Sequence, residues 1–457
     1  MNRITPFSLS ASGAGLALLG LSLLPLSALS QGGLFTSTVL FLTFVVLAGL
    51  ALLLLGRAGY APEQLCISLL PIGLAFFLRS TMLDYASEDY QIFLAQWAAF
   101  FRDNGGFSAI KLPVGNYNVP YLYFLAAISY IPLPDLYLIK LFSICFDVAL
   151  AWGGLRLAGR FSGQNKLPPL ICFCALLLLP TVMLNGAYWG QCDAIYGALT
   201  IHALACTLEG KPKTSAALVG IAFSFKLQTV FILPLWAIFW IAKRTRFRDL
   251  LMAPAAYAVT CVPALLLGKP LGDVLGIYVG QTMDGAGSLN YNCGSIYSFL
   301  PHGAQVDETA WARLGILAAF LLVAILLAIA FLFRDRLDDG TLLLCGMVLT
   351  IGVPFLLPYM HDRYFFLADV LTLTWACASL RGLPAAVLVE LASLSAYLTY
   401  FRMKYTLLIY LCDQVFTMLG ESLMVLAALV WSCLVLAKHL STFPSPGGQG
   451  GKNPTNL

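Results

Sequence analysis

Three short polar clusters interrupt an otherwise apolar chain, and each carries residue types that can do chemistry. The first reads Asp84-Tyr85-Ala86-Ser87-Glu88-Asp89-Tyr90. A carboxylate there can take a proton from a hydroxyl, cap a helix or simply be solvated. The second reads Asn185-Gly186-Ala187-Tyr188-Trp189-Gly190-Gln191-Cys192-Asp193. Tyr and Trp alone would be interface anchors, and Asp193 alone a helix cap. Neither role needs Asn, Gln and Asp together on one tight turn, a mix that can hold hydroxyls. The third reads Tyr359-Met360-His361-Asp362-Arg363-Tyr364. An Arg opening a helix opposes the macrodipole, so stability does not explain it. A His, an Arg and free backbone N–H groups at a helix start form a phosphate site, unless Arg363 merely pairs with Asp362. Lys226 adds a cation in the middle of the apolar stretch 214–241, where it must face protein or water.

The elements that position these clusters are membrane helices. Apolar residues make up 60% of the 457 and charged residues 11%, where a soluble domain carries about a quarter charged. Mean hydropathy is +0.85. Such a chain has too little polar surface to face water, so lipid is its solvent. The net charge of +4, with no Lys/Arg tract, argues against a nucleic-acid partner. Of the twelve cysteines, ten lie in or near apolar segments, where Cys acts as a small hydrophobe. Spacing leaves a Cys192–Cys293 bridge open. No CxxC or His/Cys ligand cluster points to structural zinc.

Apolar segments fall at 9–30, 34–56, 63–82, 119–133, 136–157, 167–185, 193–209, 214–241, 250–268, 311–333, 340–358, 363–380, 383–400 and 418–437. The expected fold is an all-α polytopic membrane protein of about 12–14 transmembrane helices, one domain over 1–440, with a disordered cytoplasmic tail over 441–457. The first segment is read as an uncleaved helix rather than a signal peptide. The basic loops are Arg156/Arg160/Lys166, Lys211/Lys213, Lys243/Arg244/Arg246/Arg248 and Arg334/Arg336. Placing them inside puts both termini in the cytoplasm. The loops 83–118, 186–193, 269–310 and 359–364, with the polar clusters, then lie outside. From Tyr90 to the Gly105-Gly106 pair the first outer loop alternates aromatic and polar faces at helical spacing, which predicts an amphipathic interfacial helix. Segment 214–241 has basic loops at both ends and Lys226 within, so it should be bent or re-entrant, its tip near Ser224 to Gln228 lining a polar cavity. The stretch 119–157 must cross an odd number of times, and its first part is too short to span comfortably.

In these clusters the sequence resembles the GT-C superfamily of membrane glycosyltransferases. It looks more closely like bacterial membrane proteins related to the GPI-anchor mannosyltransferase, and more distantly like the dolichyl-phosphate-glucose-dependent glucosyltransferases. The resemblance rests on Ser87-Glu88-Asp89-Tyr90, Asn116-Tyr117-Asn118-Val119-Pro120-Tyr121-Leu122-Tyr123, Asn185 to Tyr196, Phe223-Ser224-Phe225-Lys226-Leu227-Gln228 and Met360-His361-Asp362-Arg363-Tyr364. It departs at Asn118-Val119-Pro120, where a double proline is usual, and at Asp362, where Glu is commoner.

The resemblance implies a GT-C-like helical bundle that moves mannose or glucose from a polyprenyl-phosphate-linked donor to a lipid, glycan or protein acceptor. The reaction would run with inversion on the non-cytoplasmic face of a membrane, expected to be a bacterial inner membrane. It puts the catalytic acid at Asp89, with Glu88 and Asp84 as competitors. His361, Arg363 and Lys226 would then bind the donor phosphate, and Trp189, Gln191, Asp193, Asn118 and Tyr117 the sugar. The scheme requires no metal or cofactor, although the three acids of the first loop could hold a divalent cation. A transporter or flippase for lipid-linked sugars is the alternative, and it would spread polar residues through the depth of the bilayer.

Overall fold

The structure, a computed structural model, describes residues 5–284, 288–300, 306–401 and 414–441. The expected tail, 441–457, lies outside the described residues except for Ser441. In chain order the α-helices are α1 Pro6–Leu21, α2 Leu23–Ser27, α3 Gly33–Arg57, α4 Pro62–Ser80, α5 Ala95–Asp103, α6 Val119–Ile128 and α7 Asp135–Gly159. There follow α8 Leu167–Leu178, α9 Pro180–Met183, α10 Asp193–Leu208, α11 Pro212–Phe225, α12 Pro234–Ile241, α13 Phe247–Leu250 and α14 Met252–Leu266. The chain closes with α15 Leu271–Asp284, α16 Glu308–Leu332, α17 Asp339–Leu356, α18 Phe366–Ala378, α19 Leu383–Phe401 and α20 Gln414–Ser441. Among the described residues the one strand pairing is the parallel two-residue ladder of β1 Asn290–Tyr291 and β2 Met360–His361.

Every apolar segment read from the sequence holds a helix, and the bundle is all-α and polytopic. Nine helices among the described residues are long and apolar enough to span, or ten if the bent pair α8–α9 is one span. The 25-residue helices α3, α7 and α16 reach ~37 Å at 1.5 Å per residue, enough for the bilayer with tilt. Outer helices such as α14 and α16 are mostly exposed to lipid, whereas α17 is 89% buried. Helices α10 and α18 have only 16 and 13 residues, short of a full span, and are mostly buried among other helices. Close contacts use glycine: a Cβ on Gly15 would meet the Leu69 backbone, and one on Gly73 the Gly15 backbone, so α1 and α4 touch main chain to main chain.

The basic loops gather on one face. Arg156 pairs with Glu209 at 2.8 Å, and Glu209 with Lys211 at 2.8 Å. Asp339 joins Arg160 at 3.1 Å and Arg244 at 2.8 Å, and His439 reaches Asp338 at 3.0 Å. Both ends of the segment 212–241 therefore belong to one face. That segment enters as α11, breaks at the extended Lys226 (φ −150°, ψ 133°), and returns through a 3₁₀ turn, Leu227–Phe231, and α12. The re-entrant reading of 214–241 describes this hairpin.

The ambiguity at 119–157 resolves physically. Helix α6 has 10 residues, and Tyr130, just beyond its end, bonds back to Gly105 and Phe107 of the first outer loop. It stays on the cavity side, and α7 alone crosses. Helix α6 and the α11–α12 hairpin are too short or too bent to count among the nine or ten spans of the described residues. The first outer loop is helical from Glu88 to Asp103, starting with a π-helical turn, Tyr90–Leu94. Its Ile92 and Phe93 are exposed, while Leu94, Ala98 and Phe101 pack inward. Helix α15, which the sequence reading left within a loop, also lies on this face.

Candidate active site

Opposite the basic face, the helix break at Lys226, the first outer loop and the β1–β2 ladder enclose one cavity of ≈ 690 Å³. Its wall includes Asp89, Trp97, Tyr117, Gln191, Lys226, Gln228, His361, Asp362, Arg363 and Tyr400. The volume lies within the range of small-molecule sites.

Asp89 is held from several elements. Its Oδ2 accepts from Trp189 Nε1 at 2.9 Å and Gln191 Nε2 at 2.7 Å, and Arg363 stands 3.6 Å away. Its backbone N–H donates to Tyr400 Oη at 3.3 Å. Among the described residues, Oδ1 accepts no hydrogen bond. One oxygen is thus fixed and the other is available, the arrangement a general base needs. Ser87 secures the helix start: its Oγ donates to the Trp189 carbonyl at 2.6 Å and accepts from the Tyr90 N–H at 3.2 Å.

The competing acids do not share this site. Asp84 Oδ1 accepts from Ser30 N at 3.1 Å, Ser30 Oγ at 2.7 Å and Tyr137 Oη at 2.7 Å, and so ties the 28–32 turn to α7. Partial burial raises the Asp84 pKa, but the bonds from Tyr137 and Ser30 and the charge of Lys140 bring it below the usual value. Glu88 is exposed.

Asp193 is buried as the first residue of α10, where it forms an ion pair with Lys226 and accepts from Asn185 Nδ2 at 2.7 Å. Cys192, not Asp193, is the cap residue, so the plain capping role does not apply. Asp193 acts here by holding Lys226 against the cavity. Trp189 is fully buried, stacked on Tyr400 at 4.1 Å, with the Arg363 guanidinium 5.3 Å from its ring centre. Its indole N–H holds the Asp89 carboxylate, and neither Trp189 nor Asp193 lines the cavity. Gln191 and Tyr117 do, and Tyr117 Oη donates to Gln191 Oε1 at 3.2 Å. Asn118 stands apart: its Oδ1 accepts from the Val119 N–H, and its amide donates to Tyr257 and Tyr278 beside a second, smaller cavity.

The phosphate-site reading changes in detail. Helix α18 begins at Phe366, three residues past Arg363, so Arg363 sits in a turn and helix N–H groups do not explain it. His361 lies on β2, stacked against Tyr291 with ring centres 4.7 Å apart. Burial, helped by the charges of Arg363 and Lys226, lowers its pKa to about 4. At neutral pH it is therefore an uncharged hydrogen-bonding group rather than a cation. Arg363 does pair with Asp362, at 3.7 Å, but it also stands 3.9 Å from Asp193 as well as near Asp89. Cys192 and Cys293 are both buried free thiols, so the bridge left open by spacing is not formed.

Sequence reasoning missed the role of Lys140. It is fully buried, and its Nζ donates to the carbonyls of Met82 and Leu83 at 2.9 Å each and of Tyr85 at 2.7 Å. The signal was present as a charge inside a span, but its partners are backbone atoms that no motif encodes. Asp147, in the same helix, pairs with Arg79 at 2.9 Å. Tyr400 was missed because it lies far along the chain, in α19.

The protein is a multi-helix membrane bundle whose cavity on one face brings a held carboxylate and two cations together. The model of glycosyltransferase family 87 matches residues 116–358, just over half of the chain. The chain belongs to this GT-C-type family and is a glycosyltransferase. No curated protein matches it.

Proposed function

We propose that the chain transfers a hexose, mannose or glucose, from a polyprenyl-phosphate-linked donor to a hydroxyl of a lipid, glycan or protein acceptor. The reaction takes place on the face opposite the basic loops, the non-cytoplasmic side of what we take to be a bacterial inner membrane. The observation that carries this reading is the Asp89 carboxylate, held through Oδ2 in a cavity that also presents Arg363 and Lys226. The acceptor oxygen attacks the anomeric carbon and gives its proton to Asp89. The new C–O bond forms as the bond from the anomeric carbon to the phosphate oxygen breaks, and the electron pair leaves with the polyprenyl phosphate. Arg363 and Lys226 stabilise the charge that grows on that phosphate. A single displacement gives inversion. The donor class rests on the resemblance in Asn185 to Tyr196 and Phe223 to Gln228, and on the two cations.

The re-entrant hairpin α11–α12 would also suit a transporter or flippase, whose binding sites use broken helices. Against it, the cations deep in the bundle are held by protein, Arg79 with Asp147, Lys226 with Asp193 and Lys140 with three carbonyls, while the buried carboxyl groups of Asp369 and Glu421 form no ion pair among the described residues.

The test is transfer or hydrolysis of radiolabelled polyprenyl-phosphate-mannose and polyprenyl-phosphate-glucose by purified protein in nanodiscs. Wild type should turn over one of them, and Asp89→Asn should lose at least ~10²-fold while staying monodisperse. Asp84→Asn and Glu88→Gln should stay within a few-fold. Turnover that survives Asp89→Asn moves the base elsewhere, and no turnover of either donor with several lipid acceptors favours the flippase.

A further inference from the structure

Asn118 lies off the main cavity, and its bonds lead to the Lys226 break instead. A helix that stops leaves its last carbonyls without an N–H partner. In α11 the Lys226 N–H closes the final turn on the Ala222 carbonyl at 3.1 Å, and the extended Lys226 backbone then carries the chain out of the helix. The next carbonyl, of Phe223, accepts from the Tyr278 hydroxyl of α15. Asn118 sets the direction of that bond. Its Oδ1 accepts from the Val119 N–H at 2.8 Å, so its amide nitrogen is the end that donates to Tyr278 Oη at 3.3 Å and to Tyr257 Oη at 3.2 Å. A tyrosine hydroxyl has one proton, and with Asn118 donating to its oxygen Tyr278 keeps that proton for Phe223. Three residues on from Phe223, Lys226 is buried against Asp193 and lines the cavity, its Nζ 6.0 Å from the centre of the Tyr117 ring. The Phe223 ring packs on both tyrosines, with centres 5.0 Å from Tyr278 and 5.7 Å from Tyr257.

We infer that Tyr278, oriented by Asn118, is a positioning residue for Lys226: by holding the Phe223 carbonyl at the end of α11, it sets where the chain breaks and so where the ammonium stands against the donor phosphate. This deepens the function proposed above and rests on it. The Asp193 pair fixes the tip of the Lys226 side chain, but a flexible four-carbon stem can reach one carboxylate from more than one backbone position. The backbone needs a second hold, and Tyr278 supplies it from another helix. A charge stabilises a transition state only where the opposite charge develops, so a small displacement of the break lowers the rate more than it lowers stability. Tyr257, on α14, is a matched comparison. It takes the same kind of bond from the same Asn118 amide and packs on the same Phe223 ring, yet among the described residues it bonds no carbonyl of α11. Asn118, expected from the sequence to contact the sugar, acts here through Tyr278.

The experiment measures transfer in nanodiscs, from whichever labelled donor wild type uses, for Tyr278→Phe, Tyr257→Phe and the pair Lys226→Met with Asp193→Asn, the pair both with and without Tyr278→Phe. Tyr278→Phe keeps the ring and loses the bond to Phe223, and should lower kcat/KM at least ~10-fold, while Tyr257→Phe stays within about threefold. Asn118→Asp is a second variant: it accepts where the amide donates, draws the Tyr278 proton away from Phe223, and should act as Tyr278→Phe does. In the Lys226→Met, Asp193→Asn background there is no ammonium to place, so adding Tyr278→Phe should lower transfer no further. A bond that merely held α15 against α11 would lower transfer in both backgrounds alike. Equal losses in the two backgrounds, or equal effects of the two tyrosine variants, overturn the inference and leave the transferase reading standing. Where wild type turns over neither donor, binding of polyprenyl phosphate, the leaving lipid, is titrated through the fluorescence of Trp97 in the cavity wall. Weakening of at least ~5-fold in Tyr278→Phe and not in Tyr257→Phe upholds the positioning role and refutes the donor. Equal binding by both variants overturns the role, and no binding by wild type overturns both.

Discussion

Replacing Lys140 by Met should slow transfer without weakening donor binding. The Lys140 ammonium holds the carbonyls of residues 82, 83 and 85, and the chain reaches Asp89 four residues later. A hydrogen bond from a charged donor contributes ~1.5–3 kcal/mol net, so three would give at least ~4.5 kcal/mol if they added fully. The cost of burying the ammonium offsets part of that, and the expected loss of stability is ~2–4 kcal/mol. The effect on chemistry is larger. With the turn after α4 released, Asp89 keeps its contacts to Trp189 and Gln191 but loses the anchor that sets its approach. A shift of about 1 Å in such a group costs ~10²-fold in rate. The fall should appear in kcat and leave KM for the donor within about threefold, because Arg363 and Lys226 are positioned from other elements. Lys166 provides a matched control: it also donates to two carbonyls, of Ala58 at 3.3 Å and Gly59 at 2.8 Å, but on the basic face. The assay is steady-state transfer from whichever labelled donor wild type uses, with apparent Tm read in the same nanodiscs. If Lys140→Met keeps wild-type kcat while its Tm falls, the turn does not set the base, and the argument for Lys140 as a positioning residue fails.

Other substitutions test the neighbouring groups. Lys226→Met leaves buried Asp193 with only the more distant Arg363 and should cost up to ~3 kcal/mol, whereas Lys226→Met with Asp193→Asn should recover a monodisperse protein whose transfer stays ~10²-fold below wild type; recovery of activity would remove Lys226 from the phosphate site. Arg363→Lys should lower kcat/KM by about 10²-fold, because a point charge cannot serve three carboxylates and an aromatic face as a planar guanidinium does. His361→Asn should cost less than about tenfold at pH 7, since the imidazole is already neutral there; a larger fall would mean that it acts as a cation. His361 also predicts a pH slope in stability. Its pKa is 6.5 unfolded and about 4 folded, so between those values the unfolded chain binds a proton that the folded chain does not, and stability rises with pH across that window. Asp362 has the opposite sign: raised from 3.8 to about 7, it holds a proton in the folded state, so its contribution falls as pH rises from 3.8 to about 7. Apparent Tm between pH 4 and 7 should lose the rising component in His361→Asn and the falling one in Asp362→Asn.

The bundle was legible in the sequence because lipid imposes a simple rule, an apolar run of helix, and every such run proved helical. The basic loops sorted the faces because Arg and Lys cluster where ion pairs such as Asp339 with Arg160 and Arg244 form. Lys226 was readable as a break, since a charge in an apolar run requires one. What could not be read was direction. Asn118 and Gln191 look alike in a motif, yet one amide is used by Tyr257 and Tyr278 and the other faces Asp89. Trp189 and Asp193, read as sugar contacts, lie one layer behind the cavity. His361 was read into the phosphate set without a charge state, because burial, which removes its charge, is a property of the fold and not of the residue. The residues supplied late in the chain, Tyr400 above all, meet Asp89 across more than three hundred positions, a distance that no local pattern spans.

These placements bear on how one fold supports both tight packing and an open polar site. A helix that crosses the bilayer satisfies its own backbone and leaves nothing free to bind a ligand. The site is therefore made where helices stop: α11 at Lys226, α10 at Asp193, the turn before α18 at Arg363 and the first outer loop at Asp89. Each stop exposes a charge, and each charge is answered by another stop, so that Lys226 meets Asp193 and Arg363 meets Asp89, Asp193 and Asp362. The ends of four segments are tied into one network, and on the function proposed above a donor phosphate that engaged Arg363 would act on the carboxylate of Asp89 through the same guanidinium.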